Sequence, residues 1–432
     1  MGIYGDATMA KALASGFREL REILSGNVGI MAFSWFLFGL SSALVFPFFK
    51  IYAKELDADD FSIALVQSIG MYVLAFLTVF GGFMTDYLGR VKTIVLGTSL
   101  IVFTQFGYAF VQNWPQLAIL WIIDEAAHFY QPALTAIIMD SLPRDKTLRG
   151  FLILQAFPNI PWLFMPIIGG VLYDMYGLTG MRIGFLIAGT ISAIVLILRI
   201  KGLRETMTVS RGREFNVIDS ISELFKYRKA VINALKIYVF TGFLSPLTFA
   251  VAQTYGGIYV VEVLGATKTD WGLLTTLSTA VSIVLAAVLA VSRNVKEELV
   301  LVVGGTSLAL SQILMAIPGY MGRYDPVLLA LAVMAGAISN ALLWPLISTM
   351  LTRILPLEIR GRATGFQRMF ENLGLATSSL IAGFLYTKLG PANSLLFSGF
   401  IGFAAMAYLT YVYHGIFSKK ESFTREYLQT LI

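Results

Sequence analysis

Uncharged apolar runs recur along this chain at about the length that spans a membrane. An α-helix crosses a hydrocarbon core of about 30 Å in about 20 mainly apolar residues. Runs of that order occupy residues 28–49, 61–85, 150–173, 237–261, 271–292, 299–322, 326–352 and 390–418. The run at 93–123 is too long for one crossing and contains the breaker Gln112-Asn113-Trp114-Pro115. It therefore divides into a third helix ending near Gln112 and a fourth from about Pro115 to Asp140. A sixth helix from about Arg182 to Leu198 and an eleventh from about Arg362 to Lys388 bring the expected number to twelve, with polar groups inside the fourth and the eleventh. Before them, residues 1–27 set Met9, Leu13, Phe17, Leu20 and Leu24 at helical spacing beside Arg18, Arg21 and Glu22, which predicts an amphipathic segment lying in the interface. A basic linker at 201–229, itself amphipathic from 215 to 227, separates a six-helix bundle at 28–200 from a second at 230–416, and a tail follows at 417–432.

Charge orients these helices. Lysine and arginine mark the cytoplasmic side of short loops. Twenty-four fall in the N-terminal tail and every second segment after it, against only Lys54, Arg182, Lys268, Arg323 and Lys388 in the intervening loops. Both termini are thus expected in the cytoplasm of a multi-pass protein of the cell membrane. The same asymmetry accounts for the net charge of +6 without nucleic acid as a partner. Only 13% of residues are charged, where a soluble protein carries roughly 25%. With no cysteine and two histidines, His128 and His414, disulfides, thiol nucleophiles and cysteine-ligated zinc are excluded.

Shifted by 213 residues, the chain aligns with itself without a gap over helices four and five against ten and eleven. Pro132 meets Pro345, Leu142-Pro143 meets Leu355-Pro356, Arg149 meets Arg362, Asn159 meets Asn372 and Gly177 meets Gly390. Such a repeat predicts two similar bundles enclosing a site near the midplane. Between helices two and three the loop reads Gly82-Phe83-Met84-Thr85-Asp86-Tyr87-Leu88-Gly89-Arg90. This resembles the G-x-x-x-D-x-x-G-R signature of the major facilitator superfamily, at the loop where that family carries it. The resemblance covers nearly the whole chain and implies an all-α integral membrane protein of twelve helices in two pseudo-symmetric bundles. It also implies a conformational switch made of Gly82, Asp86, Gly89, Arg90 and Asp140, in which Arg90 pairs with Asp140 and Asp86 meets the start of helix eleven near Gly361 and Arg362. Helix five ends Met165-Pro166-Ile167-Ile168-Gly169-Gly170, similar in part to a motif of proton antiporters, with Met165 in place of its first glycine.

Ionisable groups at membrane depth are costly and point to function. On helix four, Asp124, His128 and Gln131 share a face, and Glu125 lies about 100° round the helix yet within reach of His128. A carboxylate beside an imidazole, both out of water, can bind and release a proton near neutral pH. Asp124, Glu125 and His128 are therefore the candidate proton-coupling residues. Arg368, Glu371 and Asn372 on helix eleven, with Gln131, Gln155, Asn159, Trp35 and Asn340, are the candidate substrate contacts. Arg368 and Asn372 fall on Gln155 and Asn159 under the repeat. Gln67, Gln105, Tyr130, Gln253 and Trp344 are lesser candidates, and Lys50 is expected to reach the headgroups.

No phosphate-cradling loop is present, so energy would come from a gradient, and nothing marks an enzyme. The expectation is a secondary transporter working by alternating access, with no cofactor, a proton as coupling ion, a small-molecule substrate, lipid around it and a monomeric state. Proton-coupled efflux of an amphipathic organic compound comes first. Proton symport or facilitated uptake of an anionic metabolite with Arg368 as counter-ion, or transport of a divalent metal on Asp124, Glu125 and His128, is the alternative.

Overall fold

A computed structural model describes residues 22–142, 147–207, 227–292 and 295–418, apart from the side chains of residues 79, 147–149, 151–152 and 357–365. Residues 1–21 of the amphipathic segment, most of the basic linker, and the tail from residue 419 lie outside the described residues. Among those described there are helices and no strands. We number them α1 (Gly26–Glu55), α2 (Asp60–Leu88), α3 (Arg90–Phe110), α4 (Trp114–Ala127 continuing as Gln131–Ser141), α5 (147–176) and α6 (178–202) in the first half. The second half holds α7 (Arg228–Val263), α8 (Lys268–Val291), α9 (Glu297–Met321), α10 (Pro326–Ile354), α11 (Leu357–Leu389) and α12 (Pro391–Phe417).

The ends of these helices follow from side chains at their caps. Asp59 accepts the Ser62 amide at the start of α2, Asn113 accepts that of Gln116 at α4, and Thr267 with Asp270 forms a reciprocal capping box on α8. Between α5 and α6 the chain reverses within one residue, Gly177, whose φ of 55° suits a residue without Cβ. Gly184 consequently lies beside Leu172. In a straight helix those two positions would be about 18 Å apart.

Near the end where α1 meets α2, the first half is held by aromatic edges. Phe49 meets Trp121 at 4.9 Å and Tyr108 at 5.0 Å between centroids, and Phe185 closes on Tyr108 at 5.1 Å. Each such pair contributes about 0.5–1.5 kcal/mol beyond its buried area. Many large apolar side chains, among them Phe76, Phe103, Val284 and Phe400, are exposed, as suits helices whose solvent is lipid.

Hydrogen bonds from one half to the other gather on the side of the membrane away from the chain's ends. Lys50 Nζ donates to the Gln253 carbonyl at 2.7 Å and Trp271 Nε1 to the Pro47 carbonyl at 2.8 Å. Asp174 accepts the amides of Lys268 and Thr269 at 3.0 and 2.8 Å. Lys268 also pairs with Glu55 at 3.1 Å. Deeper, Gln67 bonds Ser379, Ser68 bonds the Ala376 carbonyl, and Tyr72 meets Thr377 at 2.8 Å. From Tyr255 on the Asp60 carbonyl to Tyr72, this seal extends over twelve residues of α2, or about 18 Å. Lys50, expected at the headgroups, is instead part of it.

Candidate functional site

Below the seal lies a cavity of about 320 Å³ whose walls include Trp35, Asp124, His128, Gln131, Gln155 and Arg368. Helix four was expected to be continuous, yet α4 breaks into a 3-10 turn at His128–Tyr130. Pro132 at the start of the second segment has no N–H to donate back to residue 128, and its ring crowds that carbonyl. The break redirects the His128 amide to the carbonyls of Glu125 and Ala126. Asp124's carbonyl is thereby released, and it takes the His128 ring at 2.8 Å from Nδ1. A carbonyl only accepts, so Nδ1 carries the proton and Nε2 is left to exchange one. Asp124 is 4% exposed and accepts the Thr104 hydroxyl at 2.5 Å.

Glu125 does not join them in lining the cavity. Its stem packs on Gly70 of α2 and its carboxylate accepts Trp121 Nε1 at 3.4 Å. Among the described residues no three carboxylate or imidazole groups converge as a metal site would require, so the divalent-ion alternative loses its ligand set. Gln155 and Arg368, equivalent under the repeat, both line the cavity. Asn159, whose Nδ2 donates to the Gln155 carbonyl at 2.8 Å, and Asn372 do not.

Gln105 and Tyr130 also line this cavity, whereas Asn340, Glu371, Gln253 and Trp344 wall a second one of about 520 Å³ within the C-terminal half. Glu371 there accepts Gln367 at 2.8 Å. Arg368 and Glu371, one helical turn apart, thus open into different cavities and form no ion pair.

Arg199 is the residue the charge count misplaced. Counted with the cytoplasmic loops, it is 0% exposed and lines the first cavity. Side chains on a helix tilt toward its N-terminus. α6 starts at the sealed side, so an arginine near its other end points into the membrane rather than out of it. Its guanidinium lies 4.9 Å from the Phe38 ring and 5.8 Å from that of Tyr130, and Nη1 donates to Thr98 at 2.7 Å.

At the α2–α3 loop, Gly89 turns the chain with a φ of 90°. Arg90 pairs with Asp140 and donates to Thr206 at 2.8 Å. Gly82 has open space where a Cβ would stand, and Asp86 is exposed. The side chain of Arg362, expected with Gly361 beside Asp86, lies outside the described residues. The acid that caps α3 is a different one, Glu205, which accepts the Val91 amide at 3.0 Å and those of Thr206 and Met207 at 3.1 Å. Nothing in the sequence pattern pointed to it, because it reaches back over more than a hundred residues. Burial alone would raise the Glu205 carboxyl, but the amide bonds prevail and hold it below its ordinary value. A lowered value means the capping contribution is full above the unfolded value of about 4.3 and disappears as pH falls through the folded one. The Tm advantage of the parent over Glu205→Gln should accordingly be present at neutral pH and shrink in acid below about pH 4.3, as a thermal unfolding series in detergent would show. A gap independent of pH would remove the cap.

Comparison with known proteins places this geometry in a family. A family model described as Major Facilitator Superfamily matches residues 31–324 and 240–426. The multidrug resistance protein MdtG of Salmonella typhi is 27% identical over 378 residues, which is 84% of this chain and 89% of that protein. MdtG of Proteus mirabilis is 25% identical over 402 residues, 88% and 94% of the two chains. Among solved structures, a peptide transporter POT superposes with a TM-score of 0.73 at 16% identity, over 89% of this chain and 94% of its own. The nucleoside transporter NupG does so with 0.70 at 16%, over 88% and 98%.

Proposed function

The chain belongs to the major facilitator superfamily and is a multi-pass membrane transporter, and from that premise we propose that it exports small amphipathic organic compounds in exchange for protons. The observation that carries the proposal is the first cavity, where a buried carboxylate, Asp124, and an imidazole whose Nδ1 is already committed share walls with Arg368 from the opposite half. A site built by both halves is one that rocking can expose to either side in turn. With both termini in the cytoplasm of a cell membrane, the seal closes the outer side and the conformer described is the one that loads from within. Substrate and proton then compete for a cavity that is exposed to one side at a time, which is what exchange requires. Efflux rather than uptake is supported by the relatives named for multidrug resistance.

Everted membrane vesicles test the direction. Acidifying their interior should drive fluorescent amphipathic dyes inward in vesicles bearing the chain and not in those without it, and a protonophore should stop the accumulation. Dye accumulation by intact cells under the physiological gradient would reverse the assignment.

A further inference from the structure

We propose that the first cavity is a binding site for an aromatic oxyanion, a carboxylate or its like, held between Arg199 of the first half and Arg368 of the second. The inference rests on the exporter reading and narrows its substrate to one charge class. Arg199 is fully buried; Nη1 donates to Thr98, and Nε and Nη2 have no acceptor within hydrogen-bond distance. The rings of Phe38 and Tyr130 receive the guanidinium's charge but do not use its remaining in-plane donors. Burying a charge is expensive unless it is paired and hydrogen-bonded, and a fork of parallel N–H groups matches the two oxygens of a carboxylate.

Arg368 supplies the second cation. It lines the same cavity and has no ion-pair partner among the described residues. Among the described residues Asp124 is the one acidic side chain on these walls, and it is engaged by Thr104 without an ion pair to either arginine. Two arginines against one carboxylate leave a lining whose balance favours an anion. Trp35, Phe38 and Tyr130 on the same walls offer flat apolar faces to an aromatic body. A volume of about 320 Å³ lies at the small end of the range for ligand pockets. Because the two arginines come from opposite halves, a bound anion would also bridge the bundles that must move as substrate passes.

Three naphthalenes of one shape test the proposal by equilibrium binding to the purified full-length chain in detergent: naphthalene-2-carboxylate, naphthalene-2-carboxamide and 2-naphthylmethylammonium. The carboxylate should bind at least roughly tenfold more tightly than the amide, as expected for charge-assisted bonds. Arg199→Gln and Arg368→Gln should each remove most of that advantage, weakening the carboxylate far more than the amide. Arg199→Lys, which keeps charge but loses the fork, should fall between. If Arg199→Gln does not fold, Arg199→Lys and the exposed Arg368→Gln decide. A carboxylate that binds no better than the amide, or not at all, overturns the proposal, as does an advantage that survives in the arginine variants. These measurements need neither flux nor gradient. Anion binding through the arginines without proton exchange would contradict the exporter reading alone, whereas proton-coupled export of the ammonium compound by a chain that does not bind the carboxylate would contradict only this inference.

Discussion

Replacing Asp124 by asparagine should abolish gradient-driven extrusion in proteoliposomes while leaving counterflow, which moves no net proton, near the parental rate. Asparagine keeps the side chain's size and an acceptor for the Thr104 hydroxyl, so the packing of α4 on α3 survives and the change is confined to the proton. Asp124 is the only carboxylate on the cavity wall among the described residues. Glu125, one residue away, is turned toward Gly70 and Trp121, so Glu125→Gln should retain coupling. His128→Gln should shift the pH dependence of transport without abolishing it, since the ring acts beside the acceptor. Coupled extrusion by Asp124→Asn at the parental rate would move the proton site elsewhere, with Glu371 the next carboxylate to test.

The second large effect concerns the seal. Gly170 of α5 and Gly272 of α8 bring two backbones from opposite halves into contact. A Cβ at position 272 would stand 2.8 Å from the carbonyl carbon of Pro166 and 3.2 Å from Ile167 Cα. Backbone atoms cannot rotate aside, so Gly272→Val should wedge α5 from α8. Overpacking of this kind costs about 1–3 kcal/mol, which corresponds to a shift of about 5- to 150-fold in a two-state equilibrium. The chain has no native cysteine, so spin labels at Gln112→Cys and Arg323→Cys would report the distance across the outer ends directly. In the parent the short distance should dominate, and in Gly272→Val a longer one should appear as transport falls. An unchanged distance distribution would mean that the contact between α5 and α8 does not close the outer side.

What could be read from the sequence divides along physical lines. The crossings were legible because lipid demands long uncharged runs, and the turn at Gly89 and the pairing of Arg90 with Asp140 came with the motif. The break in α4 was only half visible. Pro132 was there to be read, but its repeat partner Pro345 lies inside the unbroken α10, so proline alone does not decide between a break and a continuous helix. Arg199 was assigned to a loop because the positive-inside count weighs position along the chain and not the tilt of a side chain toward its helix's N-terminus. Glu125, about 100° from Asp124 on the helix, does turn away, although its reach to His128 had suggested one cluster. Arg368 and Glu371 were separated by tertiary packing that a spacing of three residues leaves open. Glu205 was invisible because capping at a distance of more than a hundred residues leaves no local pattern.

Proton exchange by the purified chain tests the central claim most directly. In proteoliposomes carrying a pH-sensitive dye inside, with the membrane potential clamped, a transported amphipathic compound added outside should enter as protons leave, raising the internal pH, and Asp124→Asn should show no such change. Substrate flux from the parent protein with no accompanying change in internal pH would contradict the account.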